Sequence, residues 1–107
     1  MYYVAICDDD LNYATYIEGL FYKHIGITSD EIVFYKYSSG EELIKDFEKQ
    51  IPFHLLFLDM KMEGMNGDDT AIEFRKKYPY TIIVFCSGVC FPTVKSFEVN
   101  AYRYLLK

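Results

Sequence analysis

Three features that are scarce in the sequence each exclude a class of protein. Basic residues are few, with 11 Lys and Arg against 16 Asp and Glu and a net charge of -5 at pH 7, which argues against nucleic-acid binding by this chain. No apolar run approaches the roughly 20 residues of a membrane span, and no signal peptide is visible. The three cysteines are an odd number in apolar surroundings, which favours reduced thiols over disulfides. We therefore expect a cytoplasmic protein that contacts neither membranes nor nucleic acids.

The 107 residues, 51% of them hydrophobic, suffice for one compact domain and are too few for two. Apolar runs typical of strands alternate with stretches of helical periodicity. We predict strands at 2–7, 31–37, 53–59, 81–87 and 102–107, and helices from Leu11 to a stop at Gly26, from a Ser39/Glu42 capping box to about Gln50, over 68–78, and from Pro92 to Asn100. This alternation predicts an α/β fold with a doubly wound, five-stranded parallel sheet. If its strand order is 2-1-3-4-5, the order we expect, the first and third strands are neighbours.

Acidic residues follow two of the predicted strands. Asp8, Asp9 and Asp10 come directly after the first strand, and Asp59 ends the third. The carboxyl ends of these strands meet at one edge of the sheet. Carboxylates brought this close repel one another, so either their proton affinities rise or a cation lies among them. An oxygen-only ligand set favours Mg²⁺ over zinc.

A cation beside Asp59 would screen an incoming phosphoryl group. The Asp59 carboxylate could then attack phosphorus and form an acyl phosphate. Ser87 and Lys107 end the fourth and fifth strands, where a hydroxyl and an ammonium could each bind a phosphoryl oxygen.

These motifs resemble the receiver domain of two-component response regulators, a flavodoxin-like fold. The resemblance covers essentially the whole chain and rests on "ICDDD", "FLDMKM", "GMNGDD", "VFCSG" and "AYRYLLK". The phrase "SFEVNAYRYLLK" resembles receivers of LytTR-type transcription regulators, which implies that transcription is the regulated output.

The resemblance implies a role for each matching residue. Asp59 would accept a phosphoryl group from a sensor histidine kinase, and the domain would be a switch rather than an enzyme, limited to its own phosphorylation and dephosphorylation. Mg²⁺ would be held by Asp8, by Asp9 as the more direct ligand, and by the backbone carbonyl of Lys61; the phosphate-responsive residues would be Ser87, Tyr104 and Lys107.

Two departures from the family pattern stand out. Glu63 occupies the position four residues after Asp59 where the family usually has proline, so we expect a less rigid loop. The family continues past its lysine into a fifth helix, whereas this sequence stops at Lys107. We therefore expect residues 1–107 to be a receiver domain without its fifth helix and effector domain, and a candidate for homodimerisation through the uncovered surface.

Other interpretations stay open at this point. The aspartates at 8–10 could form a helix N-cap, a role that suits Asp10 best. The chain could be a receiver-like interaction module that takes no phosphate. It could also be a Mg²⁺-dependent phosphohydrolase of the haloacid-dehalogenase type, although that class has a second Asp where this chain has Lys61. We expect His24 and His54 to have structural roles.

Overall fold

The computed structural model describes residues 1–25, 30–87 and 103–106, and describes only the backbone of residues 24, 25, 87 and 103–106. The strands are β1 (Tyr2–Cys7), β2 (Ile32–Tyr37), β3 (Leu55–Asp59), β4 (Ile82–Ser87) and β5 (Arg103–Leu106). The α-helices are α1 (Leu11–Leu20), α2 (Gly40–Lys45) and α3 (Gly67–Lys77). The predicted fourth helix and the predicted stop at Gly26 lie outside the described residues.

The five strands form one parallel sheet in the order β2-β1-β3-β4-β5, which confirms the predicted fold. The central pairing joins β1 to β3, with Cys7 opposite Leu58. Asp8 and Asp59 follow these two partners in the chain. The register of the sheet therefore brings the two aspartates next to each other.

Strand β1 is buried on both faces, as its uninterrupted apolar sequence predicts. Its last four residues, Val4 to Cys7, are all buried. Ala5 and Cys7 pack in the larger core, beneath Leu43 of α2 and Phe74 of α3. Val4 and Ile6 face the opposite way and pack in a smaller cluster with Ala14 and Ile17 of α1.

Helix α1 changes from α-helical to π-helical geometry before the predicted stop. Its α-helical turns stop at Leu20, and a π-helical turn continues from Phe21 to Ile25. The Phe21 ring makes edge contacts with Phe34 on β2 and Phe57 on β3, at centroid distances of 5.4 and 5.7 Å. These tertiary contacts are not visible in the helical period of the sequence.

Helix α2 begins at the predicted capping box. The Ser39 hydroxyl accepts a hydrogen bond from the Glu42 amide at 3.1 Å, and the Glu42 carboxylate accepts one from the Ser38 amide at 2.9 Å. The α-helix ends at Lys45, before the predicted end near Gln50, and a 3-10 turn covers Asp46–Lys49. The Tyr37 hydroxyl donates to Asp46 at 2.8 Å and lowers the pKa of that carboxyl.

Gly67 opens α3 at a point where the backbone of β3 is very close. A side-chain carbon at this position would collide with the Asp59 carbonyl oxygen and lie 2.6 Å from Met60 Cα. These are backbone atoms, so no rotamer change could relieve the collision. A residue without a side chain is therefore needed for α3 to begin directly beside Asp59.

We predict that Gly67→Ala lowers the free energy of unfolding by roughly 1–3 kcal/mol, because the methyl group overpacks a rigid site. Gly19→Ala is the matched control, since Gly19 is an exposed residue of α1 and its added carbon would meet no atom within 4 Å. That control should gain about 0.5–1 kcal/mol of helix stability. Chemical denaturation of both variants checks the prediction, and equal stabilities would contradict it.

Candidate functional site

Three aspartates converge where β1 and β3 end. Asp8, Asp9 and Asp59 each offer one carboxylate oxygen, and these oxygens all lie within 4.8 Å of one another. Asp8 is 2% exposed and Asp59 is 5% exposed, whereas Asp9 is exposed to solvent. The cluster is therefore buried on one side and open to solvent through Asp9.

The two buried carboxylates are oriented by the turns that follow them. Asp8 Oδ1 accepts a hydrogen bond from the Asp10 amide at 2.9 Å, and Asp59 Oδ1 accepts one from the Lys61 amide at 3.2 Å. In each case the donor lies two residues further along the chain, as in an Asx turn. The same short-range geometry thus holds a carboxylate at the end of each strand.

Asp10 has a different role from its two neighbours. Its carboxylate caps α1 by accepting hydrogen bonds from the amides of Asn12 and Tyr13, at 3.0 and 3.3 Å. The N-cap interpretation of the acidic triplet therefore applies to Asp10, while Asp8 and Asp9 belong to the cluster.

Cys7 lies directly beneath the acidic cluster. Its thiol donates to the Ser39 carbonyl at 3.3 Å and contacts Met62 Sδ at 3.8 Å. Burial, followed by the charges of Asp8 and Asp59, raises the pKa of the Cys7 thiol far above its usual value. Cys7 is therefore a neutral packing residue rather than a thiolate ligand. Cys86 is also buried, and Cys90 lies outside the described residues.

The donor chemistry of the cluster fits a hard divalent cation. All three side chains offer carboxylate oxygens, which Mg²⁺ prefers, and no His or Cys ligand belongs to the group. With Cys7 protonated, the arrangement does not resemble a zinc site. Asp8, Asp9 and Asp59 are the residues that could hold such an ion.

The loop from Met60 to Asn66 joins the cluster to α3. Met60 and Met62 are buried, and the Gly67 amide donates to the Met60 carbonyl at 3.1 Å. Further along the loop, the Met65 amide donates to the Glu41 carboxylate at 3.3 Å. Sequence reasoning missed Glu41, because an acidic residue in the first turn of a helix is ordinarily explained by the helix dipole.

The remaining predicted site residues are only partly described. Lys61 is exposed, and its amide is the donor to Asp59 noted above. The backbone of Ser87 pairs with Leu106, and that of Tyr104 pairs with Phe85, but the side chains of Ser87 and Tyr104, and all of Lys107, lie outside the described residues. Their roles remain predictions.

Neither histidine belongs to the cluster as far as the structure describes them. His54 precedes β3, and its Nδ1 accepts a hydrogen bond from the Tyr3 amide at 3.0 Å. This contact supports the structural role expected for His54, and the side chain of His24 lies outside the described residues. Within the described parts of the chain, none of the helices has the length and apolarity that a bilayer crossing requires.

Comparison with known proteins identifies relatives that are similar in sequence. Two curated relatives, both named sensory transduction protein LytT, come from Oceanobacillus iheyensis and Bacillus subtilis. They are 32% identical over 71 residues and 35% identical over 80 residues, or 64% and 75% of this chain. The alignments span only 28% and 33% of these relatives.

A solved structure shows the same fold. The response regulator protein TrrA from Thermotoga maritima, in complex with Mg²⁺ and BeF, superposes with a TM-score of 0.80 at 23% identity, covering 100% of this chain and 87% of TrrA. The response regulator receiver domain family matches residues 4–107, nearly the entire sequence. The chain therefore belongs to the family of response regulator receiver domains.

Proposed function

We propose that this chain is a phosphorylation-dependent signalling switch in which Asp59 accepts a phosphoryl group from a sensor histidine kinase. The observation that carries the proposal is the convergence of Asp8, Asp9 and Asp59, each offering an oxygen within 4.8 Å of the others at one end of the sheet. Receiver domains are signalling domains rather than enzymes, and a reactive carboxylate beside a cation site suits that role.

We assign the cation site to Asp8, Asp9 and the backbone carbonyl of Lys61, with Mg²⁺ as the cofactor. The oxygen-only donor set supports this choice, as does the complex of TrrA, a protein of the same fold, with Mg²⁺ and BeF. When bound, Mg²⁺ would neutralise negative charge on the phosphoryl oxygens. Without that neutralisation, the carboxylates would repel an incoming phosphate.

The chemical step transfers the phosphoryl group from a histidine nitrogen of the kinase to a carboxylate oxygen of Asp59. An oxygen of Asp59 forms a bond to phosphorus while the bond from phosphorus to the kinase histidine nitrogen breaks, and the bonding electron pair returns to the imidazole. The Lys61 amide, which donates to Asp59 Oδ1, holds the carboxylate in position for the attack. The product is an acyl phosphate on Asp59.

The response to phosphorylation is assigned to Ser87 at the end of β4, to Tyr104 within β5 and to Lys107. Ser87 would hydrogen-bond a phosphoryl oxygen, Lys107 would pair with another, and Tyr104 would change position with Ser87. A shift of this kind changes the affinity of the domain for an attached or separate output partner. We favour transcription as the output, because "SFEVNAYRYLLK" resembles receivers of LytTR-type transcription regulators.

Phosphorylation can be tested with a small phosphodonor. Incubated with Mg²⁺ and acetyl phosphate, the chain should gain the mass of one phosphoryl group, and Asp59→Asn should gain none because the nucleophilic carboxylate is lost. Asp30→Asn is the control, since Asp30 is exposed and precedes β2. It therefore lies at the amino-terminal end of the strands, whereas the acidic cluster lies at their carboxyl-terminal end. Intact mass spectrometry measures all three proteins.

The interpretation of that experiment is direct. An adduct on the parent and on Asp30→Asn, but not on Asp59→Asn, supports the switch. An adduct that persists on Asp59→Asn would contradict the assignment of Asp59, and a parent that takes no phosphoryl group would favour the interaction module.

Cation binding can be tested without phosphate. Mg²⁺ at about 100 times its Kd should raise the free energy of unfolding by about 2.7 kcal/mol, because it binds the folded chain selectively. Asp8→Asn removes a charged ligand and should weaken binding by roughly tenfold or more, whereas Asp30→Asn should bind Mg²⁺ like the parent. Titration calorimetry measures the affinities, and unchanged affinity in Asp8→Asn would place the ion elsewhere.

A further inference from the structure

We propose that Glu41 is a positioning residue: its carboxylate holds the loop after Asp59 in place through the Met65 amide, and this restraint sets the affinity of the acidic cluster for Mg²⁺. The second half of the proposal rests on the proposed function, because it concerns the same cation site. Glu41 itself lies on α2 and is not a member of the cluster.

The contact joins two distant parts of the chain. Glu41 Oε1 and Oε2 lie 3.3 and 3.5 Å from the Met65 nitrogen, across a sequence separation of 24 residues. A carboxylate acceptor makes this a charge-assisted hydrogen bond, which is stronger than a neutral one. A single side chain thus connects the first turn of α2 to the loop between β3 and α3.

Gly64 leaves room for the Glu41 carboxylate. Its backbone has a positive φ of 75°, and a side-chain carbon there would lie 2.6 Å from Glu41 Oε2. A larger residue at position 64 would therefore be strained and would also push the carboxylate away from Met65. The local backbone of the loop is compatible with the contact because of this glycine.

The outer half of the loop is where an additional restraint matters. The inner half is held by Met62, which is buried, and by the Met60 amide, which donates to the Cys86 carbonyl at 3.2 Å. Glu63 and Gly64 are exposed, and the loop contains no proline. The bond from Met65 to Glu41 restrains this exposed half, which begins two residues after Lys61.

Helix α2 is a suitable anchor because its first turn is fixed to the rest of the domain. Gly40 packs directly against Thr70 of α3, with no space for a side chain. The Ser39 carbonyl accepts the Cys7 thiol at 3.3 Å, and the Tyr37 carbonyl accepts the Asp8 amide at 2.9 Å. The backbone that carries Glu41 is therefore held in a fixed relation to the end of β1.

The adjacent glutamate shows that the role is specific to Glu41. Glu42 forms the capping box of its own helix by accepting from the Ser38 amide. Glu41 instead accepts from a residue outside the helix. A purely local helix-dipole role would not require any contact with Met65.

The test compares three variants of the chain. Glu41→Ala removes the acceptor, whereas Glu41→Gln keeps an acceptor oxygen but removes the charge. Glu63→Ala is the matched control, because it removes a charge from the same loop and leaves Glu41 intact. Amide hydrogen exchange at Met65, measured by NMR in the absence of metal, reports how firmly the Met65 amide is held. Titration calorimetry reports the Mg²⁺ affinity.

We expect Met65 exchange to be about fivefold to tenfold faster in Glu41→Ala, as befits the loss of one hydrogen bond. The Mg²⁺ Kd should rise roughly threefold to tenfold in the same variant, in proportion to that loss of restraint. In Glu41→Gln both quantities should lie between those of the parent and those of Glu41→Ala, because a neutral hydrogen bond replaces a charge-assisted one. Glu63→Ala should leave Met65 exchange unchanged.

The following outcomes would count against the proposal. Unchanged Met65 exchange in Glu41→Ala would show that the contact does not hold the loop. An Mg²⁺ affinity that falls equally in Glu41→Gln or Glu63→Ala would mean that charge alone matters. A parent chain that binds no Mg²⁺ would contradict the proposed function and the second half of this proposal, while Met65 exchange would still decide the first half.

Discussion

The pairing of β1 with β3 is the constraint on which the rest of the structure depends. Both strands are mostly apolar and β1 is buried on both faces, so no inside-outside alternation specifies their register. The register is supported instead at the start of the pair, where the His54 amide donates to the Tyr3 carbonyl at 2.8 Å and the Tyr3 amide donates to the His54 ring. The aspartates converge at the other end of the same two strands.

Because of that convergence, the carboxylates of Asp8 and Asp59 are buried, where a charged group is energetically unfavourable. Burying a carboxylate is costly unless hydrogen bonds compensate, and the turns after β1 and β3 supply backbone amides to Asp8 and Asp59. The effect of the charges extends to Cys7, whose thiol pKa is raised by burial and by both aspartates. A site with this electrostatic character suits a hard cation, and such a cation would neutralise the negative charge of an incoming phosphoryl group.

Much of the architecture follows from local sequence patterns. The switch from apolar runs to helical periodicity indicates the alternation of strands and helices and hence a parallel sheet, and the Ser39/Glu42 pair marks the start of α2 because capping acts over three residues. The change from α-helical to π-helical geometry after Leu20 and the contact of Glu41 with Met65 were not predictable, because each depends on residues that meet only in the folded chain. The side-chain roles of Ser87, Tyr104 and Lys107 rest on resemblance and chemistry alone.

The most direct test of the account is the location of a bound divalent ion. Crystals of the chain grown with Mn²⁺, which takes the same oxygen ligands as Mg²⁺, would reveal the ion by its anomalous scattering. The account predicts an anomalous peak bonded to carboxylate oxygens of the cluster formed by Asp8, Asp9 and Asp59. A peak bound only elsewhere, with this cluster lacking the ion, would contradict it.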